Sequence, residues 1–155
     1  MYERILIPLD GSKTGEAALT HVKKLISRLS PKVKTKIILL QVIPPCFESL
    51  TAGEAVAMVP CSEEELKQAK QRAVNYLSKA GGALEKTGAT VTVEARIGNA
   101  YEEIIKAADE IKADLIAMST HGRSGLSRWA FGSVTDKVLR HGGYIPILAV
   151  RPSKK

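Results

Sequence analysis

Two short segments of this chain are apolar without a break, Ile37-Ile38-Leu39-Leu40 and Leu115-Ile116-Ala117-Met118. A strand with alternating character needs only one covered face. A strand without alternation must be covered on both, which a parallel sheet with helices on each side provides. Ile5-Leu6-Ile7 is a third run of this kind and leads into Pro8-Leu9-Asp10-Gly11-Ser12. Hydrophobic residues make up 45% of the chain and aromatics only 5%, so the core must be filled by Ile, Leu, Val and Ala.

Helical spacing recurs between these runs. Ala18, Val22, Leu25, Ile26 and Leu29 share one face of a first helix, and Leu66, Ala69, Ala73, Leu77, Ala80 and Leu84 share one face of a longer one. Ser62-Glu63-Glu64-Glu65 opens the long helix as a capping box, and Gly81-Gly82 weakens its last turns. Asn99-Ala100-Tyr101-Glu102 repeats the capping pattern before Ile104, Ile105, Ala108 and Ile111, and a last helix is expected from Gly132 to His141. With 155 residues the chain is expected to form one domain over 1–155.

The third strand, 90–97, alternates and so has one buried face; the fifth, 145–150, carries Pro146, which cannot donate to a ladder. Both are expected at sheet edges. With sequential strands as neighbours where possible, the order is 3-2-1-4-5, an open five-stranded parallel sheet in an α/β fold with helices on both faces. The chain then reverses its progress between strands 1 and 4, and ligands bind beyond the carboxyl ends of strands at such a switch point.

Several classes are argued against. No apolar run approaches the length needed to span a bilayer, and the amino terminus lacks the pattern of a signal peptide, so a cytoplasmic protein is expected. The excess of 23 Lys and Arg over 16 Asp and Glu is scattered over helix flanks and the tail without interleaved exposed aromatics, which argues against a nucleic-acid surface. Residues 44–61 form a long connection, flanked by Cys46 and Cys61. A bridge would close it, but reduced thiols are the expectation for a cytoplasmic chain, and two cysteines alone are too few for a zinc site.

The chemistry concentrates after the fourth strand, in Ser119-Thr120-His121-Gly122-Arg123-Ser124-Gly125 and Gly132-Ser133-Val134-Thr135. Glycines let a backbone approach phosphate closely and adopt positive φ, while Ser133 and Thr135 set hydroxyls beside the positive end of a helix. Taken alone, the segment reads equally as a phosphate cradle or as an ordinary loop with a helix cap. Gly11-Ser12-Lys13-Thr14 is a decoy for a P-loop, since the required earlier glycine is missing and Ser12 separates Gly11 from Lys13.

These residues resemble the universal stress proteins over essentially the whole chain. The resemblance runs from Ile5 to Ser12, through Thr120-His121-Gly122-Arg123-Ser124-Gly125-Leu126-Ser127-Arg128, to Gly132-Ser133-Val134-Thr135-Asp136-Lys137-Val138 and Pro146 to Val150. The ATP-binding branch carries G-x2-G-x9-G-[ST]; here Gly122, Gly132 and Ser133 match, and Ser119 stands in place of the first glycine. Serine is small and leaves the backbone groups available. The resemblance implies an adenine nucleotide alpha hydrolase-like architecture and an ATP site in which Pro8, Asp10 and the backbone near Val42 adjoin the adenosine. Ser119, His121, Gly122, Arg123 and Gly125 would adjoin ribose and phosphates, and Gly132, Ser133, Val134 and Thr135 would hold the phosphate chain. For Asp10, capping of the first helix stays open beside ligand contact.

A divalent cation, Mg²⁺ or Mn²⁺, would be held mainly by the phosphates. The resemblance also implies a stress-response regulator acting on an unnamed protein partner. Strand 5 is apolar at nearly every position and lies at an edge, so a homodimer through Ile145, Ile147, Leu148 and Val150 is expected. Two other functions compete. One is slow ATP hydrolysis or phosphoryl transfer, against which stands the lack of an evident nucleophile–base pair. The other is a dimeric scaffold that binds no nucleotide, favoured by Ser119.

Overall fold

The computed structural model describes residues 2–29, 33–52, 55–121 and 131–152. Five parallel strands form the main sheet: β1 (Arg4–Pro8), β2 (Lys36–Ile43), β5 (Thr90–Ile97), β6 (Leu115–Ser119) and β7 (Ile147–Val150). Their order is β5-β2-β1-β6-β7, the predicted 3-2-1-4-5 with the predicted third, fourth and fifth strands as β5, β6 and β7. Ile5 pairs with Ile37 on one side and Leu115 on the other, so the three unbroken apolar runs lie side by side at the centre. The pleat then sorts them. Ile5, Ile7, Ile37, Leu39, Leu115 and Ala117 face a layer built with α1 (Ala17–Ile26) and α2 (Glu63–Glu85). Leu6, Ile38, Leu40, Ile116 and Met118 face the opposite layer, with α3 (Ala100–Glu110) and α4 (Ser133–His141). Each fully buried Ile or Leu contributes about 1.5–3 kcal/mol relative to exposure, which is why no polar residue interrupts the runs.

Asp114 is the polar residue that stands just ahead of β6. Its Oδ2 accepts from the amides of Glu3 (2.8 Å) and Arg4 (3.1 Å), and thereby fixes β6 against the start of β1. The two sheet edges differ in chemistry. On β5, Arg96 pairs with Glu94 (2.6 Å), Glu103 (3.6 Å) and Glu110 (2.5 Å). Burial disfavours the Arg96 charge, but its carboxylate partners outweigh that and raise its pKa. On β7, Ile147, Leu148 and Ala149 are half-buried and no charged residue occurs.

Four local expectations are corrected. Residues 44–61 are not a structureless connection: β3 (Phe47–Ala52) and β4 (Ala55–Pro60) pair antiparallel as a separate hairpin. Cys46 and Cys61 are not reduced but joined across its open end, where the Cys61 amide also donates to the Cys46 carbonyl at 3.1 Å. Gly81-Gly82 does not weaken α2, which continues to Glu85. A Cβ on Gly81 would lie 3.0 Å from Leu39 Cδ1 and 3.1 Å from Val91 Cγ1, so that glycine lets the helix settle close on the sheet. Asn99 precedes α3 without a side-chain cap bond, and the Glu102 carboxylate that would complete the other half of the box accepts from the Tyr101 hydroxyl at 3.0 Å. The Ser62–Glu65 box of α2, by contrast, is fully formed.

Candidate functional site

A cleft of about 310 Å³ opens at the carboxyl ends of β1 and β6, where the sheet order reverses. Its apolar wall follows from the pleat. Pro8, Val42 and Met118 stand on the α3/α4 face of adjacent strands, and Ala100 and Ile104, one helical turn apart, close the wall from α3. The opposite wall is polar and comes from Asp10, Ser119, His121 and the start of α4.

The turn after β1 is organised by a carboxylate. Gly11 takes φ 82°, which reverses the chain directly after Asp10. Asp10 Oδ1 then accepts from the Ser12 amide (3.0 Å) and hydroxyl (2.6 Å), and the Gly15 amide donates to Ser12 Oγ (2.9 Å). A Cβ on Gly15 would stand 2.5 Å from Asp10 Oδ1, so the tightness of this turn requires glycine there. Asp10 therefore shapes the loop at the cleft's edge, and the N-cap position of α1 is taken by Glu16. The P-loop decoy is resolved by the same turn: Lys13 points outward and meets Glu16 at 3.4 Å.

The other rim is the start of α4. The Gly132 amide donates to the Thr120 carbonyl at 2.5 Å, and the Asp136 amide makes the first helical bond, back to the Gly132 carbonyl at 2.9 Å. Between them the amides of Ser133, Val134 and Thr135 meet no acceptor among the described residues, and Gly132 has no side chain with which to cap them. Gly132 has an ordinary φ of −66°, so positive φ is not what it supplies. Closeness is. A Cβ there would stand 3.1 Å from the Thr120 carbonyl oxygen, a backbone atom with no freedom to turn away.

The hydroxyls divide in role. Thr135 is buried and its Oγ1 donates to the Ser119 carbonyl at 2.9 Å, so it ties α4 to the end of β6. Ser133 is exposed at the cleft. Ser119 turns its hydroxyl back on its own loop, accepting from the His121 amide at 3.4 Å. His121 Nδ1 lies 2.9 Å from Thr120 Oγ1, and its Nε2 is buried with no hydrogen-bond partner among the described residues.

The cleft thus brings together Pro8, Asp10, Val42, Ser119, His121, Gly132, Ser133, Val134 and Thr135 of the expected residues. Gly122, Arg123 and Gly125 lie outside the described residues. Leu9, Gly15, Ala100, Ile104 and Met118 also line the cleft and were missed. Strand parity with Pro8 would have identified Met118, and the helical face shared by Ala100 and Ile104 would have identified that pair.

The universal stress protein family matches residues 1–151. Universal stress protein MJ0531 of Methanocaldococcus jannaschii is 32% identical over 155 residues, covering 100% of this chain and 85% of its own. MJ0577 of the same organism is 34% identical over 160 residues, covering 97% of this chain and 96% of its own. The solved structure of MJ0577 superposes with a TM-score of 0.75 at 30% identity, over 100% of this chain and 99% of that one. The universal stress protein of Archaeoglobus fulgidus, solved in complex with dAMP, shares the fold at a TM-score of 0.61 and 18% identity, over 96% of this chain and 97% of that one.

Proposed function

The chain belongs to the universal stress protein family, and from that premise we propose that it is a regulatory module that binds ATP in the cleft between β1 and β6. The observation that carries this reading is the start of α4: the three amides of Ser133, Val134 and Thr135, which meet no acceptor among the described residues, lie beside an apolar wall. Amides at a helix start hold phosphate oxygens. The wall formed by Val42, Ile104 and Met118 suits a flat base, and Asp10 at its rim suits a ribose hydroxyl. The dAMP complex of a fold relative supports the same class of ligand. A divalent cation would be carried by the phosphates.

Binding, and not turnover, is the role we assign. Asp10 and His121 are the titratable side chains among the described lining residues, and Asp10 Oδ1 already accepts two bonds from Ser12. The hydroxyl that meets His121, Thr120 Oγ1 at 2.9 Å, belongs to a buried residue that does not line the cleft, and the Ser12 hydroxyl on Asp10 is engaged in the turn. The uncharged, apolar edge of β7 supports a homodimer formed about a two-fold axis, with Ile147, Leu148 and Val150 packing reciprocally. No helix among the described residues is long and apolar enough to cross a membrane, and we assign the protein to the cytoplasm. Calorimetry with ATP and Mg²⁺ tests the reading. Saturable binding on the micromolar scale is expected, and a folded chain that takes up no nucleotide at millimolar ATP would be a scaffold instead.

A further inference from the structure

The mouth of the β3–β4 hairpin gathers four metal-ligating side chains away from the nucleotide cleft. Cys46 and Cys61 are bonded across it, with Cα atoms 5.4 Å apart. Glu48 follows Cys46 by two residues and so shares its face of the hairpin. Glu65 follows Cys61 by four and sits in the first turn of α2. The ligand atoms of Glu48, Cys61 and Glu65 all lie within 4.8 Å of one another, and Cys46 Sγ is bonded to that of Cys61. Two carboxylates so placed repel each other. We infer that, when the Cys46–Cys61 bond is reduced, the two thiolates and the carboxylates of Glu48 and Glu65 form a four-ligand site for a soft divalent cation, zinc in particular.

The scaffold does not depend on the sulfur–sulfur bond alone. The Cys61 amide remains bonded to the Cys46 carbonyl, the strands are paired from Phe47↔Pro60 to Ala52↔Ala55, and Ser62 holds Glu65 through one oxygen, Oε2. Both Ser62 bonds fall on that one oxygen, and Glu65 meets Glu48 as its other carboxyl neighbour. Cys61 is 7% exposed, so its thiolate would enter an environment that favours neutralisation by a cation. A tetrahedral zinc with Zn–S near 2.3 Å and Zn–O near 2.1 Å sets its ligands roughly 3.3–3.8 Å apart. A contraction of about an ångström is within reach of the exposed Glu48 side chain. Magnesium and calcium need six or more oxygens and do not fit a pair of thiolates.

The chemistry balances as a two-electron exchange. A dithiol reductant breaks the Cys46–Cys61 bond and becomes a disulfide itself, and the two protein thiols release two protons as they bind the cation. A disulfide oxidant reverses this: it is reduced to the dithiol, taking up two protons, as the Cys46–Cys61 bond re-forms and the cation is released. The two cysteines were too few for such a site in sequence because Glu48 and Glu65 are brought to them only by the hairpin register and the helix start.

The test uses the full chain, reduced with a phosphine and titrated with Zn²⁺ against a chromophoric chelator, with Co²⁺ as a spectroscopic substitute. One zinc per chain and a thiolate-to-cobalt charge-transfer band are expected for the reduced protein and neither for the oxidised one. Cys61→Ser should abolish both. Glu48→Gln should weaken zinc binding by about tenfold or more while the band persists. Glu65→Gln, which still completes the capping box, should do the same. Equal uptake by the oxidised chain, no uptake by the reduced chain, or affinity indifferent to both glutamate substitutions would each overturn the inference. Loss of the hairpin on reduction, read by circular dichroism, would also count against it.

Discussion

At the start of α2 the unpaired amides are answered from within the chain: Ser62 Oγ accepts from the Glu65 amide at 3.3 Å, Glu65 returns a carboxylate to the Ser62 amide at 2.8 Å, and Glu63, Glu64 and Glu65 all lie in the first turn. At the start of α4 the cap is Gly132, no side chain among the described residues bonds the amides, and the one acid of the first turn, Asp136, is drawn outward to Arg140 at 2.9 Å. Both helices pack on the same sheet. A closed start contributes stability, whereas an open one gives up that contribution and keeps its donors for something outside the chain. The contrast is the physical ground for the proposed binding position: what one helix start completes, the other leaves undone.

The largest effect is expected from blocking the open start. Gly132→Val brings a branched side chain against the Thr120 carbonyl and into the approach to the α4 amides. ATP affinity measured by calorimetry should fall by about tenfold or more, roughly 1.4 kcal/mol, in a chain that still folds. Unchanged affinity would remove the distinction between the two helix starts.

Breaking the closed start should do the opposite. Ser62→Ala removes the cap of α2 and should cost about 1 kcal/mol in urea unfolding, with ATP affinity unaltered. A parallel loss of ATP affinity would show that the two starts are not independent.

A third, smaller effect separates charge from shape. The Ser62 hydroxyl and amide hold the Glu65 carboxyl below its ordinary value, whereas hydrogen bonding and charge from Glu65 raise that of Glu48. A depressed carboxyl contributes stability above the unfolded value and loses it as pH falls through the folded one. The stability gap between wild type and Ser62→Ala should therefore be widest near neutrality and narrow as pH drops below about 4.3. A gap constant down to strongly acidic pH would mean that the Glu65 charge plays no part in the cap.

How much of this was legible in sequence depended on whether the signal was local. Ile37–Leu40 and Leu115–Met118 announced buried strands because no other arrangement covers both their faces, and Ser62–Glu65 announced its box because cap and partner lie three residues apart. The hairpin was not legible. Phe47, Val56 and Met58 lie on one of its faces at 56%, 65% and 64% exposure, so they never entered a pattern directed at the core. The pairing of Cys46 with Cys61 followed from that register and was hidden with it. Gly132 stood out as a glycine, but its reason, proximity to Thr120, belongs to residues twelve positions apart that meet only when α4 docks. In the same way Asn99 has the composition of a cap but makes no cap bond, and Glu102, the partner that a spacing rule assigns it, meets Tyr101.

The switch point also fixes an order in time. β1, β2 and β5 find their partners within the first 97 residues, but β1 meets β6 only across a separation of 111 residues, at Asp114 and Glu3. Closing so long a loop costs more chain entropy than the β1–β2 and β2–β5 pairings do, and β6 is also the last of these four strands to be synthesised. A nascent chain that has not reached β6 already carries Asp10 and Val42, yet it has nothing to place opposite them. The cleft comes into being with the last quarter of the chain, and any ligand that fills it would stabilise finished molecules and ignore unfinished ones.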